Sequence, residues 1–126
     1  MSGRPITCNV MDSDQKKIAE FSVLNARLER NEENLRRREA LLLCLKDAAD
    51  EILLLDENDS IPMLFGDCFI HLNQGNASSE LEFRYKALKE ETDLVAEMIG
   101  EMREKANELK VYLYSKFGDA ISLDRE

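Results

Sequence analysis

Tryptophan is absent from this 126-residue chain, histidine occurs once, and proline occurs only at Pro5 and Pro62. Of the five glycines, every one but Gly100 lies near a terminus or in the middle segment. Two long stretches are therefore free of helix breakers. The cysteines Cys8, Cys44 and Cys68 are odd in number and far apart, which leaves no disulfide framework and no C-x-x-C metal knuckle, only free thiols. No apolar run approaches the roughly 18 residues that would span a bilayer. The start Met1-Ser2-Gly3-Arg4-Pro5 lacks the apolar core of a signal peptide, so a soluble, cytoplasmic protein is expected. Cations are too few for a nucleic-acid binder: 17 basic residues face 26 acidic ones, a net charge of −9 that a phosphate backbone would repel. There is no G-x-x-x-x-G-K-[ST] loop and no clustered His/Cys set, so no catalytic residues, no cofactor and no metal are expected. The lone His71 suits an edge or interface position, and Asn76-Ala77-Ser78 matches a glycosylation sequon that means little without a signal peptide.

What the chain has instead is charge and leucine. Charged residues make up 34%, against roughly a quarter in an average domain, and Ala, Glu, Lys, Leu and Arg together account for roughly half, the composition of long helices and coiled coils. Neither a β-sandwich nor an α/β enzyme is expected from this composition, and the length allows one domain. A first helix is expected over residues 12–55, opening where Asp12 and Asp14 can cap free N–H groups and favour the positive end of the helix dipole. Phe21, Leu28, Leu35, Leu42 and Ala49 recur every seven residues, with Leu24, Leu45 and Ile52 three positions after members of that row. These are the a and d positions of one seam, interrupted by Asn31 and Arg38 at d. A second helix is expected over residues 78–117 from the Ser79/Glu82 capping box. Leu81, Leu88, Val95, Met102 and Leu109 fall at its d positions, and Tyr85, Thr92, Ile99, Ala106 and Leu113 at its a positions. Gly118 supplies the C′ residue that ends it. Residues 1–11 read as a flexible tail and 118–126 as a C-terminal tail.

Between the helices, in residues 56–77, the pattern changes from helical to strand-like. Gly66-Asp67 fits a two-residue hairpin turn with glycine first, and that register pairs Phe65 with Cys68, Met63 with Ile70 and Ile61 with Leu72 on one apolar face. Leu64, Phe69, Pro62 and His71 share the other. Folding back as an antiparallel hairpin lets the helices bury their seams on each other, bringing Leu45, Ala49 and Ile52 to Leu81, Tyr85 and Leu88, and Phe21 and Leu24 to Leu109 and Leu113. The i,i+4 pairs Glu32/Arg36, Glu33/Arg37, Glu80/Arg84 and Glu82/Lys86 run in the favourable order. Six large side chains on one hairpin face hold on the order of 9 to 18 kcal/mol of burial, more than two thin helices are expected to cover. Leu41, Leu43, Leu53, Leu54 and Leu55 add apolar residues outside the seam at the same end. The expected fold is therefore mainly α, a long antiparallel two-helix coiled coil with one β-hairpin, and Ile61, Met63, Phe65, Cys68, Phe69, Ile70 and Leu72 are the residues expected to join it to other subunits.

Three stretches resemble prefoldin, specifically its β-class subunits: Asp14-Gln15-Lys16-Lys17-Ile18 leading to Phe21; Ile61-Pro62 followed by Gly66-Asp67-Cys68-Phe69-Ile70; and the ending Leu109 through Tyr114-Ser115-Lys116-Phe117-Gly118. The likeness runs from about Asn9 onward, departing at Met63, where the family commonly has an aromatic residue. It implies a heterohexamer of two α-class and four β-class subunits whose hairpins close into β-barrels. It implies, too, ATP-independent capture of unfolded proteins such as actin and tubulin at the coiled-coil tips, with delivery to the cytosolic chaperonin. At the free end Met11, Ile18, Phe21, Leu113, Tyr114, Phe117, Ile121 and Leu123 outnumber what a two-helix seam buries and are the expected client contacts. The alternative reading is a structural coiled-coil adaptor that spaces partners without handling unfolded protein.

Overall fold

The computed structural model describes residues 12–118. Its order is α1 (Asp12–Ile52), β1 (Ile61–Phe65), β2 (Cys68–Leu72) and α2 (Gln74–Phe117), two long helices with a β-hairpin between them. The strands pair antiparallel in the register read from the turn: Ile61 with Leu72, Met63 with Ile70, Phe65 with Cys68. Gly66 sits at φ +62°, and among the described residues only glycines adopt positive φ, so the turn has glycine where its first position needs one. Gly118 at φ +60° closes α2 in the expected way.

The inner helix ends depart from the expected boundaries. Helix α1 stops at Ile52, three residues short of Leu55, and the chain tightens into i→i−3 bonds from Leu54 N to Glu51 O and from Leu55 N to Ile52 O. The Gln74 amide donates to the Ile52 and Leu55 carbonyls at 2.8 and 3.0 Å, satisfying acceptors that a longer helix would have used internally. Helix α2 starts at Gln74, ahead of the Ser79 box, because Asn73 caps it: its Oδ1 accepts from the Asn76 N–H at 2.8 Å. The extra turn places Ala77, fully buried, beneath the hairpin.

Over the described residues two compact units are built on these elements, a terminal one from 12–33 and 97–118 and a central one from Asn34–Ala96. The central unit has a core of Ile52, Ile61, Met63, Ala77 and Leu81, with Leu45, Ala48, Ala49, Phe65 and Leu72 packed around it. Strand β1 therefore lies on the helices and alternates buried and exposed, while β2 is exposed along its length until Leu72. Arg84 pins the hairpin down: it donates to the Leu64 carbonyl at 2.8 Å, stacks 4.9 Å from the Phe65 ring and pairs with Glu80 at 2.8 Å. The polar seam residues here are satisfied, Arg38 by Glu91 at 2.8 Å and Asn34 at 3.3 Å, and buried Thr92 by the Leu88 carbonyl at 2.7 Å.

In the terminal unit the seam rows are buried as the heptads require, Phe21, Leu24 and Leu28 on α1 and Ile99, Ala106, Leu109 and Leu113 on α2. Asn31 donates to the Met102 sulfur at 3.8 Å as well as to the Arg27 carbonyl, which fixes register through a polar d position. Glu32 reaches across the seam to Arg103 at 2.7 Å. The expected pairs Glu80/Arg84 and Glu82/Lys86 form at 2.8 and 3.3 Å.

Candidate functional site

Two surfaces carry the side chains singled out in the sequence. The first is the hairpin. Ile61 and Met63 are buried in the central core, and Phe65 and Leu72 are half-buried against it. Four of the six residues on the apolar face expected to need a partner are thus covered, fully or in part, within the chain, by Ile52, Ala77, Leu81 and their neighbours on both helices. What remains exposed is Cys68, Ile70 at 47% and, on the opposite face, Phe69 at 67% together with Leu64. Leu53, Leu54 and Leu55 continue the apolar surface, Leu54 at 87% exposure. The two-stranded sheet leaves the outer edges of β1 and β2 without a strand partner among the described residues. Beside Leu53, an open groove of about 490 Å³ runs along Leu45, Ala49, Leu81 and Tyr85. Ser60 and His71 share a 3.0 Å hydrogen bond at the mouth of the hairpin, an exposed pair that fits the edge position expected for His71.

The second surface lies where α1 begins and α2 ends. Phe21 and Leu113 are in the seam, Leu113 with no exposure at all, so they close the coil instead of facing outward. Ile18, Tyr114 and Phe117 are half-buried. Met11, Ile121 and Leu123 lie outside the described residues. Four residues that periodicity did not single out, Asp14, Lys17, Tyr112 and Lys116, hold this end together. Asp14, with no solvent exposure, accepts a hydrogen bond from the Tyr112 hydroxyl at 2.8 Å and an ion pair from the Lys116 ammonium at 2.9 Å. The bond to Asp14 holds the Lys116 ammonium above its ordinary pKa. Lys17 covers the Tyr112 ring at 5.0 Å. A signal for Asp14 was available: it stands seven residues before Phe21, at an a position of the same seam.

Among the described residues no group of three or more His, Cys, Asp or Glu is arranged to hold a metal ion, and no helix is long and apolar enough to cross a membrane.

The family model for prefoldin subunits matches residues 15–120. Prefoldin subunit 4 of Homo sapiens is 34% identical over 119 residues, covering 94% of this chain and 89% of that protein. Prefoldin subunit 4 of Saccharomyces cerevisiae is 31% identical over 123 residues, covering 98% and 95%. The crystal structure of the prefoldin beta subunit from Thermococcus strain KS-1 matches with a TM-score of 0.78 at 18% identity, over 86% of this chain and 96% of that one. The hairpin between two long helices and the match over nearly the whole chain agree, and this chain belongs to the prefoldin subunit family.

Proposed function

We propose that this chain is a β-class subunit of a hexameric, ATP-independent co-chaperone of the cytoplasm, assembled with two α-class and three further β-class subunits. In this role it binds unfolded or nascent proteins of the actin and tubulin kind near the termini of its helices and passes them to the cytosolic chaperonin. The observation that carries the assembly is the exposure of Leu64 and Phe69 on one face and Ile70 on the other of a hairpin with two open edges. An isolated hairpin of five-residue strands is marginal in water, and closure with neighbouring hairpins into a barrel removes its edges and covers its outer face. Several helix termini grouped in one assembly hold a single unfolded client through contacts that are individually weak, because each successive contact is made at high effective concentration. Ile18, Tyr114 and Phe117, with Met11, Ile121 and Leu123, are the residues proposed to touch clients, and Phe21 and Leu113 contribute only when the seam opens.

Native mass spectrometry of the purified complex tests the assembly: six prefoldin-type subunits are expected, and a stable solitary monomer would contradict it. The holding activity is tested by deleting residues 1–18 and 114–126 in the assembled complex. Suppression of actin aggregation should be lost, and undiminished suppression would place client contact elsewhere. Ordered, stoichiometric partners along the helix sides would favour the adaptor reading instead.

A further inference from the structure

One side of the terminal unit carries an apolar groove of about 370 Å³ floored by Ala19, Val23 and Leu24 and rimmed by Lys16, Arg27 and Lys105, with Glu20 as its one carboxylate. Val23 is 58% exposed beside buried Leu24, so the floor of the groove is open to solvent. The rim cations differ from most of their neighbours, Arg30 being the other cation of this unit with neither an ion pair nor a ring contact among the described residues. In the same unit Arg103 is taken by Glu32 and Lys116 by Asp14, and Lys17 lies over the Tyr112 ring. Lys16, Arg27 and Lys105 form no ion pair among the described residues, in a chain whose acidic residues outnumber basic ones 26 to 17. An acidic chain has thus left uncompensated positive charge around one exposed apolar floor.

We infer that this groove selects acidic, leucine- or phenylalanine-bearing segments of unfolded polypeptide, an inference that rests on the client-holding role proposed above and names the chemistry it prefers. The floor takes the apolar side chain, and the ammonium and guanidinium groups take flanking Asp or Glu carboxylates, their methylene stems extending the apolar wall. At physiological ionic strength screening acts over about 8 Å, so a segment in the groove senses the three rim cations together with Glu20 and the nearby Glu101, Glu104 and Glu108, while more distant negative charge is largely screened from it. A nucleic acid is a poor fit, since the floor is aliphatic and offers no ring for a base to stack on.

The test uses the full chain, assembled with its partner subunits, carrying the photo-crosslinker p-benzoylphenylalanine in place of Val23. Two unstructured 20-residue probe peptides share the same leucine and phenylalanine content, one interspersed with Asp and Glu and the other with Lys. The acidic peptide is expected to crosslink to this chain about ten-fold more than the basic one at low salt, since exposed ion pairs add only a few-fold each. That ratio should fall toward unity at about 0.5 M salt. K16E/R27E/K105E should reverse the preference, and K105E alone should shrink it a few-fold, which keeps the result readable if the triple variant folds poorly. Equal yields for the two wild-type pairs, or an unchanged preference in K105E and the triple variant, would overturn the inference, as would crosslinking of position 23 to residues 119–126 of the same chain in place of the peptides. Aggregation suppression measured on the assembly without the charge substitutions separates the two readings: no peptide preference with suppression intact refutes the groove alone, and absence of both refutes the holding role as well.

Discussion

At the scale of single residues, Asp14 is the one whose burial has to be explained, because an unpaired buried carboxylate costs several kcal/mol. Tyr112 and Lys116 supply the compensation, and they tie the first turn of α1 to the last turn of α2. Replacing Asp14 by Ala removes the hydrogen bond from Tyr112 and the ion pair with Lys116, whose donors turn to solvent, and should destabilise the chain by about 1 kcal/mol in urea denaturation. Asp14→Asn, which keeps an acceptor for Tyr112, should cost less. The pH dependence has a definite sign. Because the bond to Asp14 raises the Lys116 pKa above its ordinary 10.5, the stabilisation is fully present below that value and is lost as pH rises through the higher folded value. The difference in melting temperature between the wild type and Lys116→Met, followed by circular dichroism, should be constant from about pH 7 to 10 and shrink above it. A gap that persists at about pH 12 would show that the ammonium is not its source.

At the scale of elements, the hairpin and the helix ends answer to different rules. A two-residue turn with glycine first leaves one register open, and the alternation of the strands agrees with it, so Ile61 through Leu72 could be paired from sequence. Gly66 has open space where a Cβ would go, so the cost of Gly66→Ala is backbone strain at φ +62° alone. About 1–2 kcal/mol is expected, read as a shift in the denaturation midpoint with unchanged slope. The start of α2 was not readable in the same way. Asn73 and Ser79 are both competent caps, and Gly75 argues against helix between them. Packing decided the matter, since starting at Gln74 buries Ala77 under the hairpin and lets the Gln74 amide finish α1. Asn73→Ala should accordingly cost about 1 kcal/mol by the same measurement, while Ser79→Ala, now inside the helix, should cost little.

At the scale of the whole molecule, the hairpin divides its apolar residues between two duties. Ile61 and Met63 belong to the chain's own core, so substituting them tests folding, whereas Phe69 and Ile70 are spare and test association. Phe69→Ser with Ile70→Ser should leave helicity and denaturation midpoint nearly unchanged. Its incorporation into the complex with other prefoldin subunits should fall by ten-fold or more, since each side chain carries about 1.5–3 kcal/mol of burial. Retained incorporation in co-purification would remove these two residues from the interface. Among the residues expected at the helix termini the division is similar: Leu113 closes the seam, while Ile18, Tyr114 and Phe117 stay partly accessible.

The heptad rows on both helices, the hairpin register and the acidic excess were legible without coordinates, because 3.5-residue and two-residue periodicities are local consequences of backbone geometry. Which hairpin face is covered, where the inner helix ends fall, and that an aspartate belongs in the seam were settled only when distant segments met. Burial is a property of the neighbours that arrive, and Ala77, Arg84, Tyr112 and Lys116 each reach their partners from more than ten residues away in sequence. No window of a few heptads contains both Asp14 and its partners Tyr112 and Lys116.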